Sequence, residues 1–574
     1  MGRTIRTCKL ARRSAAPSAV DRHREHGSAA RSSRGVAAAD GLRLLAGARR
    51  LLGGAALALV ALPASASTPD LLAYMQARAA DGDGASGLAA RRYADALAAV
   101  PGDTGVAAHA YRQAITAGDL KLAFEAAATL GHAAPADADL LILASAAAHD
   151  DLPAAQAAIR RIGKSQLAVL SAPLAAWAAL ASGGDPLPLL AAARDDAVAR
   201  RFAGETRALI LIAQGHTTEG LATLRAVLGT GQASEDMRII AARLLIGLGK
   251  AAEARSLLIG DAPAIAAFRA RPGTGSKPTL GFGMSALLTR VVTDLIVGPP
   301  GPLPLAMAQA AVIAYPANDR ARLLLGYALG RTGETNRALA TLATIAADSP
   351  YAQAAKGGRV QILADAGRMN EALVHAEALA KNGDTAALQR YADLLSGATR
   401  PADAAPIYRR IIDQAKGEAD WSVWLQYGAA LDEAGDWPGA HRALAQAVRL
   451  APDEPLALNY LGYAQISHGE PVGPAQTLLE KASRLKPQDA AITDSLGWAY
   501  YLSGEPKRAL PLIERAAAAS PTDIEVNEHL GDVYWAVGRR FAARYAWRAA
   551  QVVADAENAA RLAVKIANGP AQRP

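Results

Sequence analysis

The chain has 574 residues, which is too long for one ordinary hydrophobic core, so several domains or a repeat array are expected. Apolar residues make up 51% of it, with alanine dominant and only 5 phenylalanines, and this composition favours helices because alanine loses no side-chain entropy in them. The net charge of +8 resides in residues 1–66, which hold twelve Arg or Lys against three Asp or Glu and leave 49 basic and 50 acidic residues elsewhere, so a phosphate-binding surface is not supported.

The first element is a basic leader that ends in a predicted secretory signal. Arg49 and Arg50 precede a 12-residue apolar run, Leu51–Leu62, and Pro63 is followed by the small-x-small sequence of residues 64–66. This order of charge, apolar segment and cleavage site is typical of an exported protein. A short buried helix is the alternative interpretation. We therefore assign residues 1–66 to a leader with a signal peptide.

The cysteine usage agrees with export. Cys8, the single cysteine, lies in the leader, so the chain from residue 67 onward has no thiol, no disulfide and no cysteine to carry a lipid or ligate a metal. A thiol-free chain suits an oxidising compartment. Beyond residue 66 the sequence contains no run of about 18 or more uncharged apolar residues, the length that a membrane-spanning helix needs. We predict a periplasmic protein without a membrane span, either free or associated with the outer membrane.

Residues 67–262 are predicted to form helical repeats with a weak pattern. Small residues that would suit close helix crossings recur there at steps of 32, 65 and 34 residues. They are Ala123, Ala155, Gly220 and Ala254. The 65-residue step leaves room for one further unit near Leu187.

The register then breaks. The next repeat position is Pro304, a step of 50 residues from Ala254. Two segments rich in proline and glycine, 271–278 and 297–302, lie in the interval and favour loops. We therefore predict a linker at 263–283 that joins two sub-arrays. An apolar periodic segment from Met284 to Ile296 is expected to begin the second sub-array, which extends to residue 568.

A strong repeat runs through the second sub-array. In one copy, Trp424-x-x-Tyr427-Gly428-x-x-Leu431 precedes Ala440 and Pro452, and the same frame recurs along the chain. Its small second-helix residue recurs at steps of 34, 34, 32, 36, 35, 34 and 34. These residues are Pro304, Ala338, Ala372, Ala404, Ala440, Ala475, Ala509 and Ala543. Gly428 and Ala440 allow two antiparallel helices to cross closely, and proline ends the second helix.

This frame resembles the tetratricopeptide repeat, whose period is 34 residues. The resemblance implies an all-α, right-handed superhelical solenoid of antiparallel helix pairs that is stabilised by stacking. It implies degenerate repeats over 67–262, a capping helix from Glu557 to Asn568, and a tail at 569–574. The closing run, 494–539, is similar to that of exported bacterial tetratricopeptide proteins, some of which are adaptors for a carboxyl-terminal processing protease.

The resemblance also implies which residues line a partner-binding groove, since the first helix of each unit faces the concave side. Carried onto this sequence, the groove residues are Tyr327, Asn459, Tyr463, Asp494, Trp498, Tyr501, Glu528, Asp532 and Trp535. Aromatic and polar side chains in a column suit an extended peptide. The alternative is that Trp498 and Trp535 pack between units. Only Asn459 matches the family's carboxylate clamp, so binding of a Glu-Glu-Val-Asp tail is not expected.

No motif indicates a catalytic, metal or cofactor site. The stretch Gly273–Lys277 lacks the residue order of a phosphate loop, and the ten histidines show no metal-ligand spacing. We therefore predict a non-catalytic scaffold or adaptor of the cell envelope that binds a protein or peptide, without cofactor, metal or nucleic acid. The alternative is a structural component of an envelope polysaccharide-export or outer-membrane assembly machine. An enzyme would require an active site that the sequence does not display.

Overall fold

The computed structural model describes residues 68–191, 196–229 and 236–570, and these ranges contain thirty α-helices and no β-strand. The predicted all-α solenoid of helix pairs is confirmed. The predicted leader at 1–66 lies outside the described residues, as do the last four residues of the tail. None of the helices in the described ranges is long and apolar enough to cross a membrane.

The helices follow one another with short connections. Those of the first half are α1 (Thr68–Gly82), α2 (Ser86–Ala99), α3 (Thr104–Ala117), α4 (Leu120–Leu130), α5 (Ala136–Ala148), α6 (Leu152–Ile162), α7 (Ser171–Ala181), α8 (Leu187–Leu190), α9 (Ala197–Ala213), α10 (Thr217–Gly229), α11 (Asp236–Gly247), α12 (Ala251–Leu257) and α13 (Pro263–Ala270). Short 3-10 turns at Gly131–Ala133 and Ala168–Leu170 connect α4 to α5 and α6 to α7.

The second half continues in the same manner to the C-terminus. Its helices are α14 (Leu280–Leu295), α15 (Pro302–Ala314), α16 (Asp319–Arg331), α17 (Thr335–Ala343), α18 (Ala352–Asp365), α19 (Met369–Ala380), α20 (Thr385–Gly397), α21 (Pro401–Gln414), α22 (Trp421–Glu433), α23 (Trp437–Leu450), α24 (Pro455–Ser467), α25 (Val472–Leu485), α26 (Ala490–Leu502), α27 (Pro506–Ala519), α28 (Ile524–Ala536), α29 (Arg540–Val553) and α30 (Ala556–Asn568).

Aspartate or asparagine caps many of the helices. The side chain at each cap accepts a hydrogen bond from a backbone N–H in the first turn, which satisfies a donor that has no partner inside the helix. These caps are Asp103, Asp119, Asp151, Asp196, Asn318, Asp384, Asp420, Asp436, Asp489, Asp523 and Asp555. The caps therefore mark where successive helices begin.

The repeat frame coincides with the helix crossings. Each alanine of the frame from residue 338 to residue 543 is fully buried. Opposite it, the first helix carries a glycine in five of these seven units (Gly326, Gly428, Gly462, Gly497 and Gly531), and each glycine packs against a large residue of the second helix. A Cβ added at Gly428 would lie 2.7 Å from Leu444, and one added at Gly531 would overlap Trp547. The pairs can thus approach closely only because these positions lack bulk.

The turn inside most pairs uses a residue with positive φ. Glycine takes this position at Gly435, Gly504 and Gly538, where φ is 81–88°. The turn between α20 and α21 departs from the pattern, because Thr399 adopts φ 57° there. A β-branched residue in the left-handed region is strained.

Replacing Thr399 by glycine is therefore expected to stabilise the protein by about 1 kcal/mol, because the strain is removed. Thermal unfolding followed by circular dichroism measures the change as a higher midpoint. Thr344→Gly serves as the control, because Thr344 ends α17 with an ordinary φ of −78° and should gain nothing. Equal midpoints for the two variants would contradict the assigned strain.

The weak repeats of the first half also form antiparallel helix pairs. Ala123, Ala155 and Ala254 are buried in second helices, and a Cβ at Gly220 would lie 2.7 Å from Ile212. The unit expected near Leu187 is the pair α7–α8, whose second helix has only four residues. The pattern in these units is weak because short second helices and alanine-rich contacts replace the glycine and aromatic residues.

The hairpin α14–α15 packs against the first helices of the first half. Helix α14 contacts α5, α7 and α9, and α15 contacts α3 and α5, which are all first helices of their pairs. Every residue of α14 from Leu280 to Val292 is buried. One hydrophobic core consequently extends from Ala77 to Ile362. This core includes residues on both sides of the linker predicted at 263–283. The division into two sub-arrays stays a prediction.

Candidate partner-binding groove

Buried polar side chains concentrate on three neighbouring first helices, α24, α26 and α28. They are Asn459, Thr493, Asp494, Ser495, Asn527, Glu528, His529 and Asp532. Polar groups without access to water require partners inside the protein, because an unsatisfied one costs about 1–3 kcal/mol. The base of the groove is therefore an ordered polar layer rather than a simple apolar core.

Three rings stack here, and one of them, His529, belongs to the polar layer. The ring centroids of Trp498 and His529 are 3.8 Å apart with 14° between their planes, and Trp498 and Tyr501 stack at 4.8 Å and 22°. Trp498 and Tyr501 remain partly exposed, whereas His529 is buried. Tyr463 lies on the other side, with its ring centroid 6.5 Å from that of His529. The rings of three successive units thus form one aromatic cluster, in which Tyr463, Trp498 and Tyr501 are partly exposed.

His529 carries a positive charge at neutral pH. Burial acts to lower the pKa of its imidazole, but Asp494, Glu525 and Asp532 outweigh burial and raise this pKa to about 9. The protonated Nδ1 donates to Oδ2 of Asp494 at 2.8 Å. A cation stacked under the indole of Trp498 also gains cation–π attraction. The hydrogen bond to Asp494 thus fixes the orientation of the imidazole against the indole.

The carboxylates around His529 differ in their surroundings. Burial raises the pKa of Glu525, which accepts a hydrogen bond from the hydroxyl of Tyr463. The Oδ1 atom of Asp494 is buried and has no hydrogen-bond partner among the described residues, and the same holds for Oδ1 of Asn459 in the preceding unit.

Helix α30 covers the C-terminal end of the groove. The Nζ of Lys565 lies 2.7 Å from Oε1 of Glu528 and 2.6 Å from Oδ2 of Asp532, and Arg561 also pairs with Glu528. Although burial acts to raise the pKa of Glu528, Arg561 and Lys565 hold this pKa below its ordinary value. The indole N–H of Trp547 donates to Asp532 at 3.0 Å. Both carboxylates are thus neutralised within the chain.

Trp535 belongs to this covered end. A Cβ at Gly569 would overlap its ring, the guanidinium of Arg540 lies 3.8 Å from the ring centroid, and Trp547 is 5.5 Å away. The structure therefore places Glu528, Asp532 and Trp535 together beneath or beside α30. Their role in partner binding stays a prediction.

Tyr327 lies apart from the other predicted groove residues. Its hydroxyl donates to the carbonyl oxygen of Ala354 at 3.1 Å, and its ring packs where a Cβ at Gly358 would otherwise lie. It thus joins α16 to α18, whereas Asn459, Tyr463, Asp494, Trp498 and Tyr501 lie on α24 and α26. The frame predicted one column, and the structure shows a compact cluster at 459–501 with Tyr327 several units away.

Sequence reasoning missed His529 and Glu525 as members of this cluster. His529 directly precedes the Leu530-Gly531 pair of the frame, a position that the family's groove pattern does not include. The available signal was a histidine in a first helix next to Glu528, which takes the repeat position that Asp494 holds one unit earlier. Within the described ranges, no group of three or more His, Cys, Asp or Glu residues is arranged to hold a metal ion.

Comparison with known proteins finds similarity at the level of structure alone. No family model matches the sequence, and no curated protein matches it. The solved structures that resemble parts of it include TTC0263, a TPR protein of Thermus thermophilus, at 20% identity and a TM-score of 0.29, covering 32% of this chain and 99% of that chain.

Two further solved structures show a similar degree of likeness. MamA from Desulfovibrio magneticus has 19% identity and a TM-score of 0.26, with 29% of this chain and 94% of that chain covered. YrrB, described as a TPR protein with an unusual peptide-binding site, has 14% identity and a TM-score of 0.25, with 30% and 88% covered. These scores are too low to support an inference about function. The chain's own helix pairs and 34-residue frame give its described part a tetratricopeptide-like fold.

Proposed function

We propose that this chain is a non-catalytic scaffold that binds a partner protein or peptide in the concave groove of its second half, at the cluster of Tyr463, Trp498 and Tyr501. The observation that carries the proposal is the partly exposed indole of Trp498, stacked between Tyr501 and the charged ring of His529. A surface that the chain already holds in place loses little conformational freedom when a partner binds.

We place the binding site in the second half because α14 and α15 already occupy the corresponding side of the first half. A partner on that side would have to displace buried helices. At α24–α28, by contrast, aromatic side chains remain partly exposed. An extended peptide can lay apolar and planar side chains on this aromatic surface.

We propose further that the scaffold acts in the periplasm. The support is the order of charge, apolar run and cleavage site at 49–66. The partner would then be a protein of the cell envelope, such as a protease served by an adaptor. Subunits of a polysaccharide-export or outer-membrane assembly machine would be the partners under the alternative hypothesis, and identification of the partner distinguishes the two.

Trp498→Ala is expected to weaken partner binding at least tenfold while helicity is retained, because a central aromatic side chain contributes about 2 kcal/mol or more to an interface. A photo-crosslinking residue at Tyr501 in envelope fractions, followed by mass spectrometry, identifies the partner and measures its recovery. Circular dichroism of the same variant reports the fold.

The matched control is Trp437→Ala. Trp437 stacks on His468 at 4.2 Å but begins the second helix α23, away from the first helices that line the groove. It should lose a similar stack and keep the partner. Undiminished recovery with Trp498→Ala would refute the proposed site, and loss of helicity in Trp498→Ala but not in Trp498→Phe would favour packing between units as the role of this residue.

A further inference from the structure

The outer face of α29 exposes large apolar side chains. Phe541, Tyr545 and Val552 are 78%, 64% and 84% exposed, and Arg548 between them is also exposed. The opposite face, which carries Trp547, is buried in the array. The rings of Phe541 and Tyr545 contact each other with centroids 5.6 Å apart. Helix α29 thus presents a continuous stripe that nothing in the described chain covers.

The repeat does not require these residues. The second helices of the two preceding units carry small, polar or charged residues at the same four positions. In α27 they are Lys507, Pro511, Glu514 and Ala518, and in α25 they are Gly473, Thr477, Glu480 and Arg484. The apolar stripe is therefore a property of α29, and a specific contact rather than solenoid packing must account for it.

The spacing of the stripe has the form of a helix-pairing seam. Phe541, Tyr545, Arg548 and Val552 follow one another at steps of 4, 3 and 4 residues, which is the alternation of a coiled coil. The steps read the same in both directions. A helix with this property can face a second copy of itself in antiparallel orientation with all four residues in contact.

We propose that the protein forms a two-fold symmetric dimer in which α29 pairs with α29 of a second copy. In that register Phe541 faces Val552 of the partner subunit, and Tyr545 faces Arg548 of the partner subunit. Each contact occurs twice, as a closed two-fold interface requires. The ends bury apolar groups, and the centre places a guanidinium on a phenol ring.

The flanks of the stripe fit the same arrangement. On one side, Ala542 and Ala549 leave space for the two helices to approach closely. On the other, Arg544 faces Gln551 of the partner subunit, so no like charges meet. Arg548 forms no ion pair with another described residue, so its guanidinium is available for the ring of Tyr545 of the partner subunit.

A lipid surface fits less well, because most of the neighbouring arginines are already engaged. Arg540 lies over Trp535, Arg544 donates to the carbonyl oxygen of Ile566 at 2.8 Å, and Arg539 pairs with Glu514 at 3.4 Å. A basic surface for anionic lipids needs several unengaged cations. The stripe also includes one aromatic pair rather than a long apolar face.

If the groove binds a partner as proposed, the dimer also affects that binding. Two chains joined through α29 present two grooves at once, and a partner with two binding segments would gain affinity from their linkage. A single helix face is small for an interface, so the dimer is expected to be reversible, with a dissociation constant on the order of 10 μM.

Sedimentation of the full chain over a range from about 1 to 200 μM tests the dimer. We expect a concentration-dependent dimer, and Phe541→Asp combined with Tyr545→Asp is expected to weaken it at least tenfold. The control is Val374→Asp, which changes an exposed apolar residue at the position in α19 that corresponds to Tyr545. A chain that is monomeric throughout this range, including one that instead sediments with anionic vesicles, would overturn the proposal.

Disulfide formation tests the orientation. In a chain carrying Cys8→Ser, the variants Phe541→Cys and Val552→Cys are each oxidised alone and as a mixture. Antiparallel pairing places the two copies of residue 541 about 16 Å apart along the helices, too far for a disulfide. We expect covalent dimers in the mixture and none with Phe541→Cys alone. The reverse result would overturn the register. Neither readout depends on a groove partner, so the dimer and the proposed function fail independently.

Discussion

Replacing Glu205 by alanine is expected to lower the free energy of unfolding of the first half by about 3 kcal/mol. Glu205 of α9 and Arg290 of α14 are both buried, and their side chains pair at 3.4 Å. Burial raises the pKa of the Glu205 carboxyl, and Arg290 and Arg201 act against this shift. The variant leaves a buried guanidinium, which stays charged, with one carboxylate fewer.

Two controls separate this effect from general disturbance. Asp413→Ala removes an exposed ion pair with Arg409 and should cost less than about 0.5 kcal/mol. Glu205→Leu with Arg290→Met removes both buried charges and should lie close to the wild type. Urea unfolding and native-state hydrogen exchange of α9 and α14 measure the changes. If Glu205→Ala costs no more than Asp413→Ala, the buried pair does not hold α14 in the first half.

The repeat frame could be predicted from sequence because its signals are local and recur. Gly428 and Ala440 mark one helix crossing within 12 residues, and the same small residues return about every 34 positions. Each crossing depends on two side chains that belong to the same unit. A pattern of this kind survives even where neighbouring units differ, so the fold of the second half followed from it.

The position of α14 against the first half could not be predicted in the same way. Its apolar periodicity from Met284 to Ile296 indicated a helix, but the partners α5, α7 and α9 lie about 75–150 residues earlier in the chain. A signal was nonetheless present, since Arg290 is the only charged residue between Leu280 and Val292. A helix that is apolar all round is expected to be buried on every side.

The candidate site was predicted in part for a similar reason. The frame placed Asp494 and Trp498 on the first helix of a unit, and the structure brings them together with Tyr463 and Tyr501. The role of His529 depends on contact between two units, and its charge depends on carboxylates from both. Glu528 is covered because α30 docks against α28. Asp555, which stands where the frame has proline, indicates that a further helix follows, but it does not indicate where that helix docks.

Trp177→Ala is expected to cost about 3–5 kcal/mol, because the side chain is fully buried and leaves a large cavity. Trp177 of α7 meets α14 directly. Its ring centroid lies 5.9 Å from that of Phe282 in an edge-to-face contact, and a Cβ at Gly283 would overlap the indole. Gly283→Ala alone should therefore cost about 1–3 kcal/mol through overpacking.

The double variant tests whether α14 rests on α7 as described. The methyl group added at position 283 can enter space that the indole has left, so the combined cost should fall below the sum of the single costs by at least about 1 kcal/mol. Gly473→Ala in α25 is the control, because its Cβ would meet nothing within 4 Å and should be neutral or slightly stabilising. Additive costs within about 0.5 kcal/mol would show that the two positions do not touch, and the first half would then have an open groove of its own.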